Sequence, residues 1–180
     1  MQDEKVFIQE LLNPKTQNVA FQKLLHDYQR PLYNHIRNIV LNHDDADDVL
    51  QNTFIKVFRY LKDFKGDSKL FSWMYRIATN EAITFINQKA KKNGITSEAL
   101  QEKMVNNLKA DVYFDGNEIQ IKLQKAIARL PEKQQLVFKM KYFEELKYED
   151  MSEILGTSVG ALKASYHHAV KKIEEYVKTN

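Results

Sequence analysis

The stretch YEDMSEILGTSVGALKASYHHAVKK, residues 148–172, decides how the chain is read. It breaks at Gly156, where a short helix can end in the left-handed turn that glycine tolerates, and Thr157 or Ser158 can cap the helix that follows. In that second helix each residue advances roughly 100°. With Leu162 as origin, Tyr166, Ala169, Val170 and Ile173 fall within roughly 80° of it and form a buried stripe. Lys163, Ala164, His167 and Lys171 fall on the far side. Two helices joined by a tight glycine turn make a helix-turn-helix, whose second helix offers its polar side to a DNA major groove. Lys163, Lys171 and Lys172 can neutralise phosphates, histidine can donate to phosphates or base edges, and Gly160, Ala161 and Ala164 permit close approach. His167 and His168 point about 100° apart, so they cannot easily share a metal ion. A plain helical hairpin packed in a bundle is the alternative reading.

Working outward, LPEKQQLVFKMKYF places Pro131 at the start of a helix, where its missing N–H costs nothing, and helices resume at Gln120. Residues 93–121 lose the long periodic pattern; apart from a brief helix around 97–108, their NG and DG pairs and acidic excess read as a flexible linker. Upstream, Phe21, Leu24, Leu25, Tyr28, Leu32, Ile36, Ile39 and Val40 follow helical steps. So do Ala46, Val49, Leu50, Phe54, Val57, Phe58 and Leu61, then Leu70, Trp73, Met74, Ile77, Ala78, Ile83 and Ile86. A short helix at 3–12 precedes them. Sustained alternation is absent, and glycine and proline are scarce, so the fold class is all-α: two small helical domains, 1–92 and 122–180, joined by the linker 93–121.

Composition narrows the function classes. The 180 residues contain no cysteine, which excludes disulfides and thiolate metal sites and suits a reducing, cytoplasmic setting. The start, MQDEKVFIQE, lacks the order of a signal peptide, and no apolar run approaches the roughly 20 residues that span a bilayer. Net charge is +3 but unevenly placed: residues 62–92 carry 7 basic and 3 acidic groups, residues 122–180 carry 11 and 8, and the linker between them carries 2 and 5. Two basic segments flanking an acidic one suit two contacts with a polyanion. Simple solvated surface charge is the alternative.

DDADDV at 44–49 offers four carboxylates but no calcium-loop spacing; its order suits a helix N-terminus, with Asp44 or Asp45 as cap. In the segment 64–92, Phe64, Phe71, Trp73 and Tyr75 cannot all face one core stripe, so some are expected to be exposed, where an aromatic face can stack on an unpaired base. Phe71 and Met74 fit the core best. Neither a phosphate-binding glycine loop nor a nucleophilic Ser, His, Asp arrangement has recognisable spacing, so no enzymatic activity and no cofactor or metal are expected.

Two stretches carry a family resemblance. DDADDVLQNTFIKVFRYLKDFKGDSKLFSWMYRIATNEAITFINQKAKK closely resembles region two of bacterial RNA polymerase sigma factors of the extracytoplasmic-function (ECF) type, in the sigma-70 family. LPEKQQLVFKMKYFEELKYEDMSEILGTSVGALKASYHHAVKKIEEYV resembles their region four. The resemblance implies a specificity subunit that binds core RNA polymerase and directs initiation at a promoter. Polymerase binding is carried over to Asp47, Asp48, Gln51, Asn52 and Phe54. Opening of the minus-ten element and capture of an extruded base fall to Phe64, Lys65, Gly66, Asp67, Ser68 and Lys69, with Trp73, Arg76 and Asn80 on the adjoining helix. Reading of the minus-thirty-five element falls to Ser158, Lys163, Ala164, His167, His168 and Lys171. In the recognition helix Ser165 and His168 stand where arginines are common in the family, so another member's promoter does not transfer. The acidic linker fits a segment that occupies a channel used by RNA. Anti-sigma partners, many membrane-anchored, are common in the family, though no residue here identifies one; neither a small-molecule substrate nor membrane insertion is implied. A conventional helix-turn-helix repressor or activator, dimerising through 1–92, and a purely structural helical protein are the rival readings.

Overall fold

The computed structural model describes residues 3–180; residues 1 and 2, the start of the first expected domain, lie outside the described residues. Asp3 accepts the Lys5 amide and opens helix α1 (Glu4–Leu12), the short helix expected over 3–12. Helix α2 (Gln17–Val40) runs through Pro31 without a break. Proline removes one intrahelical donor, a cost offset here by the buried residues Leu24, Leu32, Ile36, Ile39 and Val40. Helix α3 (His43–Tyr60) is capped by neither Asp44 nor Asp45. Asn42 is the last residue in extended conformation, and its side chain accepts the Asp45 amide at 2.9 Å. Both aspartates therefore sit inside the first turn, where their charge still complements the helix dipole. A 3-10 turn at Leu61–Asp63 and an extended loop lead into α4 (Leu70–Lys92).

The segment 93–121 contains structure of its own. Thr96 accepts the Ala99 amide at 3.1 Å and starts α5 (Ser97–Asn106), whose Leu100 and Val105 are buried, as is Leu108 beyond it. The chain continues as α6 (Glu118–Ala128), α7 (Glu132–Tyr142), α8 (Tyr148–Leu155) and α9 (Val159–Thr179). Pro131 stands directly before α7, and Gly156, at φ 63°, ends α8 in the left-handed conformation a side chain would oppose. Among the described residues there are no strands, as an all-α chain requires.

Helices α2, α3 and α4 pack on one another around Leu32, Ile36, Val49, Val57, Leu70, Met74 and Ile86, with α1 against α2. That core continues without interruption into Leu136, Val137 and Met140 of α7, Met151 and Ile154 of α8 and Leu162 of α9. A second cluster, Ile127, Leu130, Phe138, Ala169 and Ile173, ties α6, α7 and α9 together. Phe58, expected in the apolar stripe of α3, is instead 46% exposed: in the last turn of α3 its ring meets Phe21 edge-on at 5.0 Å.

Where α7 meets α2 and α4, Lys139 is buried beside Ile39, Ile83 and Ile86. Burial pushes its ammonium from the usual 10.5 down to about 8, while the Glu144 carboxylate pulls the other way. The native state thus binds this proton more weakly than the unfolded chain does. The resulting penalty is in full force below about pH 8, fades as the pH climbs through 10.5, and is gone above that, where both states carry the neutral amine. Lys139→Met should therefore stabilise the protein at pH 7 by about 1–3 kcal/mol, several degrees in Tm. Thermal melts followed by circular dichroism should show the advantage shrinking between pH 8 and 10.5; a pH-independent difference would mean the lysine's charge is not what costs stability.

Candidate nucleic-acid interface

Helix α9 shows the division its periodicity predicts. Ser158 caps it by accepting the Ala161 amide at 3.2 Å. Leu162, Ala169 and Ile173 are buried, and Tyr166 packs in parallel against Phe138 with ring centroids 5.8 Å apart. The opposite face is open: Lys163, Ala164, His167, His168 and Lys171 are all exposed. The two imidazoles lie 6.0 Å apart, tilted by 59°, and no group of histidine and acidic side chains able to hold a metal exists among the described residues. Lys172 turns away from the open face and donates to Gln134 at 3.1 Å on α7, so it contributes less to that face than Lys163 and Lys171.

The loop before α4 is shaped from both ends. Phe64 is buried against Trp73, ring centroids 5.0 Å apart. Gly66 takes φ 77° with nothing near a would-be Cβ, so the backbone conformation, not space, calls for glycine. Lys65, Asp67 and Lys69 are exposed and Ser68 half-buried. On α4, Lys69, Trp73, Arg76 and Asn80 fall within about 60° of one another and share one side of the helix. The expectation that some of Phe64, Phe71, Trp73 and Tyr75 are exposed does not hold. Phe64 and Tyr75 are buried and Phe71 and Trp73 half-buried, because the rings cover one another: Phe71 lies 4.2 Å from Tyr75, which in turn lies 4.8 Å from His35. Burial raises the Tyr75 hydroxyl well above its usual pKa, so it stays neutral.

Helix α8 lies against this side of α4. Asp150 accepts from Lys69 at 2.6 Å, and that hydrogen bond and charge raise the lysine's pKa above its usual value. Arg76 donates to the Glu153 carbonyl, and the Lys69 amide donates to the Glu153 carboxylate at 3.4 Å. Close by, Glu144 accepts from His35 Nδ1 at 2.9 Å and from Asn38 at 3.5 Å, while His35 Nε2 meets the Thr79 hydroxyl at 2.7 Å. These acidic partners escape a reading by periodicity, which sees Glu144, Asp150 and Glu153 only as solvated charge.

On α3, Asp48, Gln51 and Asn52 are exposed, Asp47 is half-buried and faces His43 at 3.4 Å, and Phe54 packs partly into the core. Ile55, 55% exposed, joins this outward side. Its omission from the helical stripe was the one available sign of it. The segment after α5 crosses the start of α3: Asp111 pairs with Arg37 at 2.5 Å, and Tyr113 stacks on His43 with ring centroids 3.8 Å apart. Tyr33 bonds the same imidazole at 2.6 Å, so two aromatic residues far apart in sequence hold one histidine.

Comparison with known proteins places these surfaces in a family. Sigma-70 region 2 matches residues 24–92 and Sigma-70, region 4 matches residues 120–173. The RNA polymerase sigma-H factor of Pseudomonas aeruginosa is 28% identical over 164 residues, 87% of this chain and 85% of that one. The ECF RNA polymerase sigma-E factor of Haemophilus influenzae is 29% identical, covering 88% and 87%. The fold is shared with CnrH, solved in complex with the cytosolic domain of CnrY, at a TM-score of 0.71 and 16% identity over 98% of each chain. It is shared also with the sigma factor RpoE of Bartonella quintana, solved with the anti-sigma factor NepR, at 0.64 and 20% over 89% and 98%. With both conserved regions matched in order and the helical fold shared along the chain, the protein belongs to the sigma-70 family of transcription initiation factors, in its extracytoplasmic-function branch.

Proposed function

We propose that this chain binds core RNA polymerase and directs it to promoters whose minus-ten element it opens and whose minus-thirty-five element it reads. The division of labour follows the chain: 1–92 for polymerase and the minus-ten element, 93–121 as connector, and 122–180 for the minus-thirty-five element. The observation that carries the reading is the open face of α9, where Lys163, Ala164, His167, His168 and Lys171 stand together opposite a packed stripe. A helix supported on one side and bare on the other, with basic and hydrogen-bonding groups on the bare side, suits a major groove. Ser158 serves it chiefly as the cap that fixes the helix start. The loop Phe64–Lys69 with Trp73, Arg76 and Asn80 supplies a second set, combining cations with a half-buried indole on which an unstacked base can lie. Asp47, Asp48, Gln51, Asn52 and Phe54 provide the polymerase contact, to which exposed Ile55 adds apolar area.

On this reading the partners are core polymerase, promoter DNA and an anti-sigma protein, as the Bartonella quintana sigma factor of the same fold has in the anti-sigma factor NepR. The chain acts as a specificity subunit and performs no chemistry itself. Its place of work is the cytoplasm; no helix among the described residues is long and apolar enough to cross a membrane.

Gel shifts on duplex promoter DNA with and without core polymerase should give a specific complex only with core, accompanied by a promoter-dependent transcript. Tight palindromic duplex binding by the chain alone would favour a conventional repressor. Trp73→Ala should reduce open-complex formation by roughly 10-fold, the scale of one base–aromatic stack, and change core affinity little. Equal losses in both would make Trp73 a core residue only. His167→Ala and His168→Ala should each change the ranking of minus-thirty-five variants by about 1 kcal/mol at single positions, measured by competition, while core affinity holds. Unaltered ranking in both variants would remove the histidines from base reading.

A further inference from the structure

Lys69 and Arg76 sit seven residues apart, nearly two full turns, and so project from the same side of α4. Both are exposed, yet neither is free for an external partner. Asp150 takes the Lys69 ammonium, and the Glu153 carbonyl takes the Arg76 guanidinium. The Glu153 carboxylate faces the Lys69 amide at the start of α4, where Glu4 of α1 accepts the neighbouring Leu70 amide at 3.2 Å. Trp73 and Asn80 share that side of α4. An anionic oxygen beside an ammonium, a second oxygen on a guanidinium and a carboxylate at backbone amides reproduce the groups a nucleic-acid backbone would present.

A second anchor lies deeper. Glu144, just beyond α7, reaches between His35 and Asn38 of α2 and sits near buried Lys139. His35 is held in turn by Thr79. The acidic groups Glu144, Asp150 and Glu153 all belong to one short stretch and all land on α2 or α4. Glu145 and Glu149 from the same stretch stay exposed.

We propose that the stretch 144–153 is an internal competitor for nucleic acid: in the free chain Asp150 and Glu153 occupy the cationic side of α4 while Glu144 anchors the stretch on α2, and single-stranded DNA gains that side only when the stretch and the helices that carry it, α7 and α8, move away. This rests on the minus-ten reading of α4 given above. Because the two states exchange one set of anions for another, DNA and closure oppose each other reciprocally. The polar anchors lie over an apolar interface formed by Leu136, Met140, Met151 and Ile154. That interface also buries Lys139, a charge better solvated when the domains part.

The absence of cysteine allows two dyes to be placed at will, on Lys62→Cys and Lys178→Cys, both exposed positions outside the interface. Energy transfer then reports closure, and anisotropy of a fluorescein-labelled, mixed-sequence single strand reports binding at fixed ionic strength. Glu144→Lys with Asp150→Lys should lower transfer and tighten the single strand by roughly 5-fold or more, the low end of ordinary coupling between sites. Glu145→Lys with Glu149→Lys introduces the same charge on exposed positions and should leave transfer high, with a smaller gain in affinity. Helicity by circular dichroism checks folding; should the reversal unfold the chain, Glu144→Gln with Asp150→Asn serves, against Glu145→Gln with Glu149→Gln. Added single strand should itself lower transfer in the unaltered chain.

Unchanged transfer in the 144/150 variants would overturn the clasp. Lower transfer with affinity no better than the 145/149 controls would show that closure masks nothing. Failure of every variant, opened ones included, to bind the single strand would defeat the minus-ten reading and the competitor with it.

Discussion

Helix α4 is packed on two sides at once, and the rest of the structure follows from that constraint. Toward α2 and α3 it buries Met74, Ala78, Ala82 and Ile86, and its opposite side receives α8. Alanines at 78, 82 and 90 keep the neighbouring backbones close, so the helix can sit at the centre and not at an edge. A helix with one packed side would leave Lys69 and Arg76 to solvent. With two, its polar residues must find partners within the protein, and the carboxylates and carbonyl of 144–153 are those partners.

The two candidate DNA surfaces consequently stand in different states. The face of α9 is open, since the helix is supported from behind by α6 and α7 and leaves Lys163, His167 and His168 exposed, the Lys163 ammonium reaching only the edge of α8, 5.7 Å from the Tyr148 ring. The side of α4 is occupied. The connector adds a further tie: Asp111 on Arg37 and Tyr113 on His43 hold it across the beginning of α3, next to Asp47 and Asp48. Exposed ion pairs such as Lys69–Asp150 are individually weak and screened by salt. The apolar contacts beneath them are not, which gives closure a salt-insensitive part and a salt-sensitive part.

Much of this was legible in the order of residues. The short first helix, the three long helices after it, the glycine stop at 156, a cap at Thr157 or Ser158, of which the structure uses Ser158, and the bare side of α9 all follow from local rules, because each depends on neighbours within a turn or two. The cap of α3 lies two or three residues before the expected Asp44 or Asp45, since four aspartates advertise a helix start as strongly as the asparagine before them. The aromatic residues of 64–75 depart from the sequence expectation for a different reason. One helix cannot shelter four rings on a single stripe, but α2, α4 and the preceding loop together bury Phe64 and Tyr75 and half-cover Phe71 and Trp73.

The sequence by itself determined that the chain is helical, where most of its helices lie to within a few residues, which side of most is apolar, and that two basic segments flank an acidic one; periodicity and charge are properties of contiguous residues. Only the tertiary structure decided that Glu144 meets His35 across 109 positions and that Asp150 meets Lys69 across 81. A carboxylate carries no local mark of which cation it will face. That choice is made by the apolar surfaces of α4, α7 and α8, which must be buried together and bring those charges with them.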